Sequence, residues 1–226
     1  MRTAFAAAYI AKKRRRLCVN LVHIDWKIPL IAICCFADEG NHVETKKGVG
    51  FDVSSLGIDE YEVQTVWSPG IPHQALTDLD LSGNQLHNVH KAIARISTLV
   101  SINFAKNKLT KLPPDFRELT KMTKIDISSN DFNVFPNDVW FCTKLTSLRV
   151  GHNRIAEIPS LISNLALLEE LDLSFNKFTD LPVELGTLKY LAKPNFLGNT
   201  LKGIPHNLSK GGDMAIISFW QVSSVE

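Results

Sequence analysis

Asn84, Asn107, Asn130, Asn153, Asn176 and Asn199 stand 23 residues apart, without a single insertion between them. The same frame returns around each: LTDLDLSGNQL, LVSINFAKNKL, MTKIDISSNDF, LTSLRVGHNRI, LEELDLSFNKF and LAKPNFLGNTL. Five of the six run on into an apolar residue and a proline, at Leu112-Pro113, Phe135-Pro136, Ile158-Pro159, Leu181-Pro182 and Ile204-Pro205; the first has Val89-His90 there. Each copy is too short to bury its own apolar side, so the copies must stack and share one core.

Within a copy the residues sort by position. The alternation Leu79-Asp80-Leu81, repeated at Leu171-Asp172-Leu173, predicts a short strand with leucines inward and aspartates outward. Each asparagine is expected to turn inward and satisfy backbone groups at the following bend. Nine and twelve positions after the asparagine the chain is apolar, as at Phe116 and Leu119, which predicts a short helix or turn on the outer side. The stretch VWFC at 139–142 divides on this ruler. Val139 shares a column with Ile93, Phe116, Ile162, Leu185 and Leu208, and Cys142 with Ile96, Leu119, Leu165 and Leu188. Both therefore belong to the core, and the thiol is expected to be inert. Trp140 and Phe141 stand in columns that are otherwise mostly small or polar. They are expected to lie against the flank of neighbouring repeats or the amino-terminal extension, or else to form a second contact patch on the convex face.

The frame resembles that of the leucine-rich repeat family in its 23-residue form, over residues 76–205. Its LP and IP steps are similar to those of intracellular Ras-group leucine-rich repeat scaffolds. The resemblance implies an α/β solenoid, with a curved parallel β-sheet on the concave face and short helices or turns on the convex face. It also implies a protein partner and a scaffold or signalling role.

Around these six repeats, residues 1–47 form a non-repeat extension or cap, 48–75 a degenerate capping repeat with an insertion, and 206–226 a C-terminal cap. GFDVSSLGI at 50–58 fits the frame if Phe51 and Val53 point inward and Leu56 takes the asparagine slot, with WSPGIPH at 67–73 as the insertion. Pro194 occupies an inward strand position of the last copy, which suits an edge strand because proline lacks a backbone donor. DMAIISFW at 213–220 reads as an apolar lid on the open end of the core.

Residues 1–24 contain no acid and carry the block Lys12, Lys13, Arg14, Arg15 and Arg16. The block fits a mitochondrial presequence, a nuclear address, or part of a cap over the first repeat. IPLIAICCFA at 28–37 fits the apolar part of a signal peptide and is too short to span a membrane. The cysteines at 18, 34, 35 and 142 form no disulfide or zinc framework, and the cysteine-rich caps of secreted family members are not visible. A cytoplasmic location is the expectation, against which Asn207-Leu208-Ser209 is a lone glycosylation sequon.

A net charge of +2 gives no global pull toward nucleic acid. No phosphate loop, metal set or nucleophile–base pair stands out. GVG at 48–50 lacks the third glycine of a dinucleotide loop, His87 and His90 read as a polar turn, and Cys34-Cys35 as buried filler. Neither a cofactor nor catalysis is expected.

Register instead assigns a surface. The outward strand column reads Asp80, Asn103, Asp126, Arg149, Asp172 and Asn195, preceded by Asp52 if the degenerate copy is real. Arg149 is expected between Asp126 and Asp172, either in a self-neutralised ladder or in an acid-rich stripe suited to a basic or mixed-charge protein segment. A second column, just before the asparagines, reads Gly83, Lys106, Ser129, His152, Phe175 and Gly198. No core demand places a phenylalanine at 175. The expected protein-binding set is therefore Asp80, Asn103, Lys106, Asp126, Arg149, His152, Asp172, Phe175 and Asn195, in a non-catalytic interaction module. An exported recognition domain and a regulatory subunit of an enzyme such as a phosphatase would use the same surface.

Overall fold

In the computed structural model the chain is described over residues 43–45, 48–52, 55, 76–89, 91–202 and 213–223. The basic block at 12–16, Cys18, Cys34, Cys35, Val53, Leu56, the insertion at 67–73, His90, Ile204-Pro205 and the sequon at Asn207 lie outside them. Strands β1 (Val43–Thr45), β2 (Gly48–Asp52), β3 (Leu76–Asp80), β4 (Ser101–Asn103), β5 (Lys124–Asp126), β6 (Ser147–Arg149), β7 (Glu170–Asp172) and β8 (Lys193–Asn195) form one sheet in chain order. From β2 to β8 every pairing is parallel, and β1 folds back antiparallel on β2. Phe51 is level with Leu79, and Asp52 with Asp80, so the strand column does extend one unit upstream.

The returning arms are short. Helix α1 (Lys91–Ala94) is followed by 3-10 helices at Pro114–Glu118, Asn137–Phe141, Ser160–Asn164 and Val183–Thr187. Each 3-10 turn is entered through a proline in extended conformation: Pro113, Pro136, Pro159 and Pro182. Proline's fixed φ suits that entry, and its missing N–H falls where no helical bond is needed. Its carbonyl accepts the first turn bond, as from the Phe116 N–H at 2.9 Å.

One core runs between strands and arms. Leu79, Ile102, Ile125, Leu148 and Leu171 line it from the strands, and Ile93, Phe116, Val139, Ile162 and Leu185 from the arms, all essentially inaccessible. The asparagines tie the repeats together. Asn130 Nδ2 donates to the carbonyls of Ile127 (3.1 Å) and Ser128 (3.1 Å) in its own bend and to Phe104 (3.0 Å) in the previous repeat. Its Oδ1 accepts the Leu109 N–H at 2.9 Å. Asn107, Asn153 and Asn176 repeat this pattern, so a buried amide that would be costly alone is fully used.

Helix α2 (Asp213–Ser223) closes the far end, with Ile216 and Ile217 buried in the common core. Asp213 Oδ2 accepts the Phe196 N–H at 2.8 Å and fixes that helix on the last repeat. Pro194 pairs with Leu171 on β8, the last strand of the sheet.

VWFC divides further than its columns suggest. Val139 and Cys142 are buried, and burial, with a contribution from Asp138, pushes the Cys142 thiol up to about 12. Trp140 is corrected: it is no outer contact residue but sits 1% exposed, its ring stacked on Phe135 of its own repeat at 4.5 Å. Among the described residues its Nε1 has no hydrogen-bond partner. Phe141, beside it, is 55% exposed. The pair thus splits between core and convex surface.

Candidate protein-interaction face

The strand register sets Asp80, Asn103, Asp126, Arg149, Asp172 and Asn195 side by side on the concave face, with Asp52 level with Asp80 in the register of β2. Most of them first serve the fold. Asp80, Asp126, Asp172 and Asn195 each accept, through Oδ1, the N–H two residues on, from Ser82, Ser128, Ser174 and Leu197. Asn103 does the same for Ala105 at 3.0 Å. This local turn ends each strand, and it explains why a short carboxylate or amide recurs there. The binding potential of the column lies in what those bonds leave over.

In the first repeats little is left. Asp80 Oδ2 takes Asn103 Nδ2 at 3.0 Å, and Asp126 Oδ1 also takes the Ser128 hydroxyl at 2.6 Å. Arg149 breaks the series because a guanidinium cannot accept. It lies between Asp126 and Asp172 in register, but its hydrogen bonds go diagonally to Glu170, from Nε at 3.0 Å and Nη2 at 2.8 Å, with Asp126 at 3.9 Å. Burial alone would raise the Glu170 pKa; the hydrogen bonds from Arg149 and Ser147 outweigh it and hold the carboxyl below its usual value. The same bond to Glu170 raises the Arg149 pKa. Asp172 makes no ion pair at contact distance among the described residues, but its charge also acts on Arg149 and helps to raise the Arg149 pKa.

The column before the asparagines is left-handed throughout. Ser55, Gly83, Lys106, Ser129, His152, Phe175 and Gly198 all have positive φ. For phenylalanine this is an uncommon conformation. Phe175, at φ 50°, is 47% exposed, stacks on His152 at 4.4 Å, and lies over the α-carbon of Gly198. Leu197, in the next repeat, is 64% exposed and accepts the Phe175 N–H through its carbonyl at 2.7 Å. His152, Phe175 and Leu197 thus form an exposed aromatic and apolar patch, with Arg149 and Asp172 in the neighbouring column. Lys106 is exposed two repeats before His152 and lies outside this group.

Sequence reading missed Glu170, Ser174, Gly151 and Leu197. Glu170 belongs to the first outward strand column, Ser101, Lys124, Ser147, Glu170 and Lys193, visible in the same register but not read. The others share the column two before the asparagine, where the strand has ended and alternation no longer predicts direction. Among the described residues no group of three or more His, Cys, Asp or Glu side chains could hold a metal ion, and no helix is long and apolar enough to cross a membrane.

The family profile described as leucine rich repeat matches residues 74–132, and that of leucine rich repeats in two copies matches 143–185. No curated protein is similar enough in sequence to match. Among solved structures, a leucine-rich repeat protein of Leptospira interrogans is similar at 27% identity and a TM-score of 0.60, covering 69% of this chain and 38% of its own. An internalin of Listeria monocytogenes follows at 26% identity and 0.54, covering 63% and 39%. The ectodomain of the Arabidopsis thaliana membrane receptor kinase GASSHO1/SCHENGEN3, in complex with CASPARIAN STRIP INTEGRITY FACTOR 2, has 28% identity and 0.55, covering 64% of this chain and 17% of its own. The chain thus spans well under half of each of these proteins. Frame, parallel ladder and likeness to these solenoids agree that the chain is a leucine-rich repeat protein.

Proposed function

We propose that this chain is a non-catalytic protein-interaction module, an intracellular scaffold or signalling adaptor that holds a protein partner on its concave face. Phe175 carries the reading. An exposed phenylalanine in a left-handed conformation, with no part in the core, opposes both folding and solubility, which is how contact anchors stand out from structural residues. Solenoids of this class present rigid, extended strand faces to partners. The Arabidopsis ectodomain of like fold was solved in complex with CASPARIAN STRIP INTEGRITY FACTOR 2.

The test is affinity capture with the full chain and a Phe175→Ala, Arg149→Glu double variant, compared at equal Tm. Both positions are surface-facing, so the variant is expected to fold as the wild type while losing its captured partner. Retained capture by the folded double variant would overturn the concave-face reading.

A further inference from the structure

The position nine before each asparagine lies at the entry to the strands, and from the second repeat to the sixth it reads Thr98, Lys121, Lys144, Leu167 and Tyr190. Two residues on, backbone bonds tie these rows together. The Thr123 N–H donates to the Val100 carbonyl at 2.7 Å, Thr146 to Thr123 at 2.8 Å, Glu169 to Thr146 at 2.8 Å and Ala192 to Glu169 at 2.9 Å. Lys121, Lys144, Leu167 and Tyr190 therefore stand in one row along this flank, about 15 Å long at the spacing of neighbouring strands. All four are exposed, Leu167 by 46% and Tyr190 by 61%. Lys124, also exposed, adds a third ammonium group at the start of β5. None of these lysines is in an ion pair among the described residues. The acids of β5 and β7 are drawn elsewhere: Asp126 to Ser128 and Arg149, Glu170 to Ser147 and Arg149, and Asp172 to the Ser174 N–H. Glu169 stands two residues from Leu167, in the apolar half of the row. On the opposite flank the column just after the asparagines mixes signs, and Arg154 pairs with Asp131 at 2.7 Å.

We propose that this strand-entry flank is a second contact surface, which docks an extended protein segment carrying carboxylates at one end and an apolar side chain at the other. The acidic end faces Lys121, Lys124 and Lys144, and the apolar end lies on Leu167 and Tyr190. Charge complementarity sets the first half: three exposed cations gathered over two repeats, with no anion of the described chain paired to them, suit a run of carboxylates. The change of character along the row sets the second half. A position that only kept the flank wet would stay charged, whereas here it turns to leucine and then to tyrosine, a side chain that joins a broad apolar ring to a hydrogen-bonding tip. About five extended residues span the row. Cationic and apolar side chains are segregated along its length, which gives the row two unlike ends. A linear segment matches such ends, and a lipid surface, alike in every direction, does not. This surface adds to the concave-face reading above and does not depend on it.

The probe is an acetylated, amidated pentapeptide of two glutamates, a glycine and two leucines, titrated in both chain orders at low salt into the full ¹⁵N-labelled chain. Matched peptides carry lysines for the glutamates, or serines for the leucines. One order of the acidic peptide is expected to shift the Thr146 and Ala192 amide signals saturably; the lysine peptide should leave both unmoved, and the serine peptide should bind more weakly. Lys121→Glu with Lys144→Glu should weaken the response about tenfold, the scale of losing two exposed ion pairs. Lys108→Glu with Lys177→Glu, on the opposite flank, makes the same change in net charge and should leave the response as it was. Both pairs are exposed, so each double variant keeps the fold, and its amide spectrum shows that directly. No saturable shift, an equal response to the lysine peptide, or an equal loss from the two double variants would overturn the proposal. So would shifts at these amides produced by phosphatidylserine vesicles and not by the peptide. The two readings fail separately: Phe175→Ala should leave the peptide response unchanged, and if capture needs Phe175 while no peptide binds, the concave face stands and the flank falls.

Discussion

The two ends of the concave sheet use the same frame to different effect. From β3 to β5 the column of Asp80, Asn103 and Asp126 is spent on the fold: Asp80 on Ser82 and Asn103, Asn103 on Ala105, and Asp126 on Ser128 twice. From β6 to β8 the closure loosens. Arg149 replaces an acceptor, the Ser174 hydroxyl packs over Gly151 and makes no hydrogen bond among the described residues, and Phe175 and Leu197 face solvent. Strand register and asparagine ladder are the same in both halves, so the difference lies in the side chains alone. A regular solenoid can therefore hold its architecture with one half and offer contacts with the other.

The shared frame should be the costliest thing to disturb. Leu171→Ala, in the strand column common to both halves, is expected to lose about 2–5 kcal/mol in denaturant unfolding, as large-to-small core changes do. A loss below about 1 kcal/mol would mean that the inward register carries less of the fold than the ladder implies.

The loosened half holds its own strained contact, and Gly198→Ala measures it. At φ 75°, with a β-carbon only 2.6 Å from Phe175 Cδ1, alanine should cost about 1–3 kcal/mol and displace the exposed ring. Equal stability of wild type and variant would mean that the ring yields freely and Phe175 is no fixed anchor.

The smallest effect separates the halves by pH. The folded pKa of Glu170 lies below its ordinary value, so its pairing stabilises the protein fully above that value and is lost as pH falls through the folded one. Because the pair faces solvent, the loss should stay under about 1 kcal/mol and shrink with salt. Thermal melts of wild type and Glu170→Gln should diverge at neutral pH and converge in acid; a gap constant with pH would remove Arg149 as its cause.

Most of this fold was legible because its information is periodic. A fixed spacing assigns Val139 and Cys142 to the core and sets Arg149 between two aspartates. What periodicity could not supply was direction off the strand. Trp140 stands in a column with Ala94 and Gly186, whose small size suggested an outward position. Both are buried while Arg117 in the same column is exposed, so the column has no single direction, and Trp140 turns inward to stack on Phe135. Arg149 is long enough to leave its row, so its partner was hidden one diagonal away at Glu170. The packing of Ser174 and Asp172 over Gly151 depends on which way two side chains turn, a choice that no spacing records.

The asparagine ladder has one more consequence, for how such a chain can change length over generations. Each amide takes carbonyls from its own bend and from the bend before it, and returns its oxygen to the repeat before it. Every joint is chemically alike, so cutting out one whole unit, or copying one, rejoins identical partners. A change of one residue has no such remedy, because it shifts an amide away from its carbonyls and turns a strand over. Within the run from Asn84 to Asn199 the spacing of 23 is unbroken, so whole units are the steps in which that run can grow or shrink without disturbing the ladder.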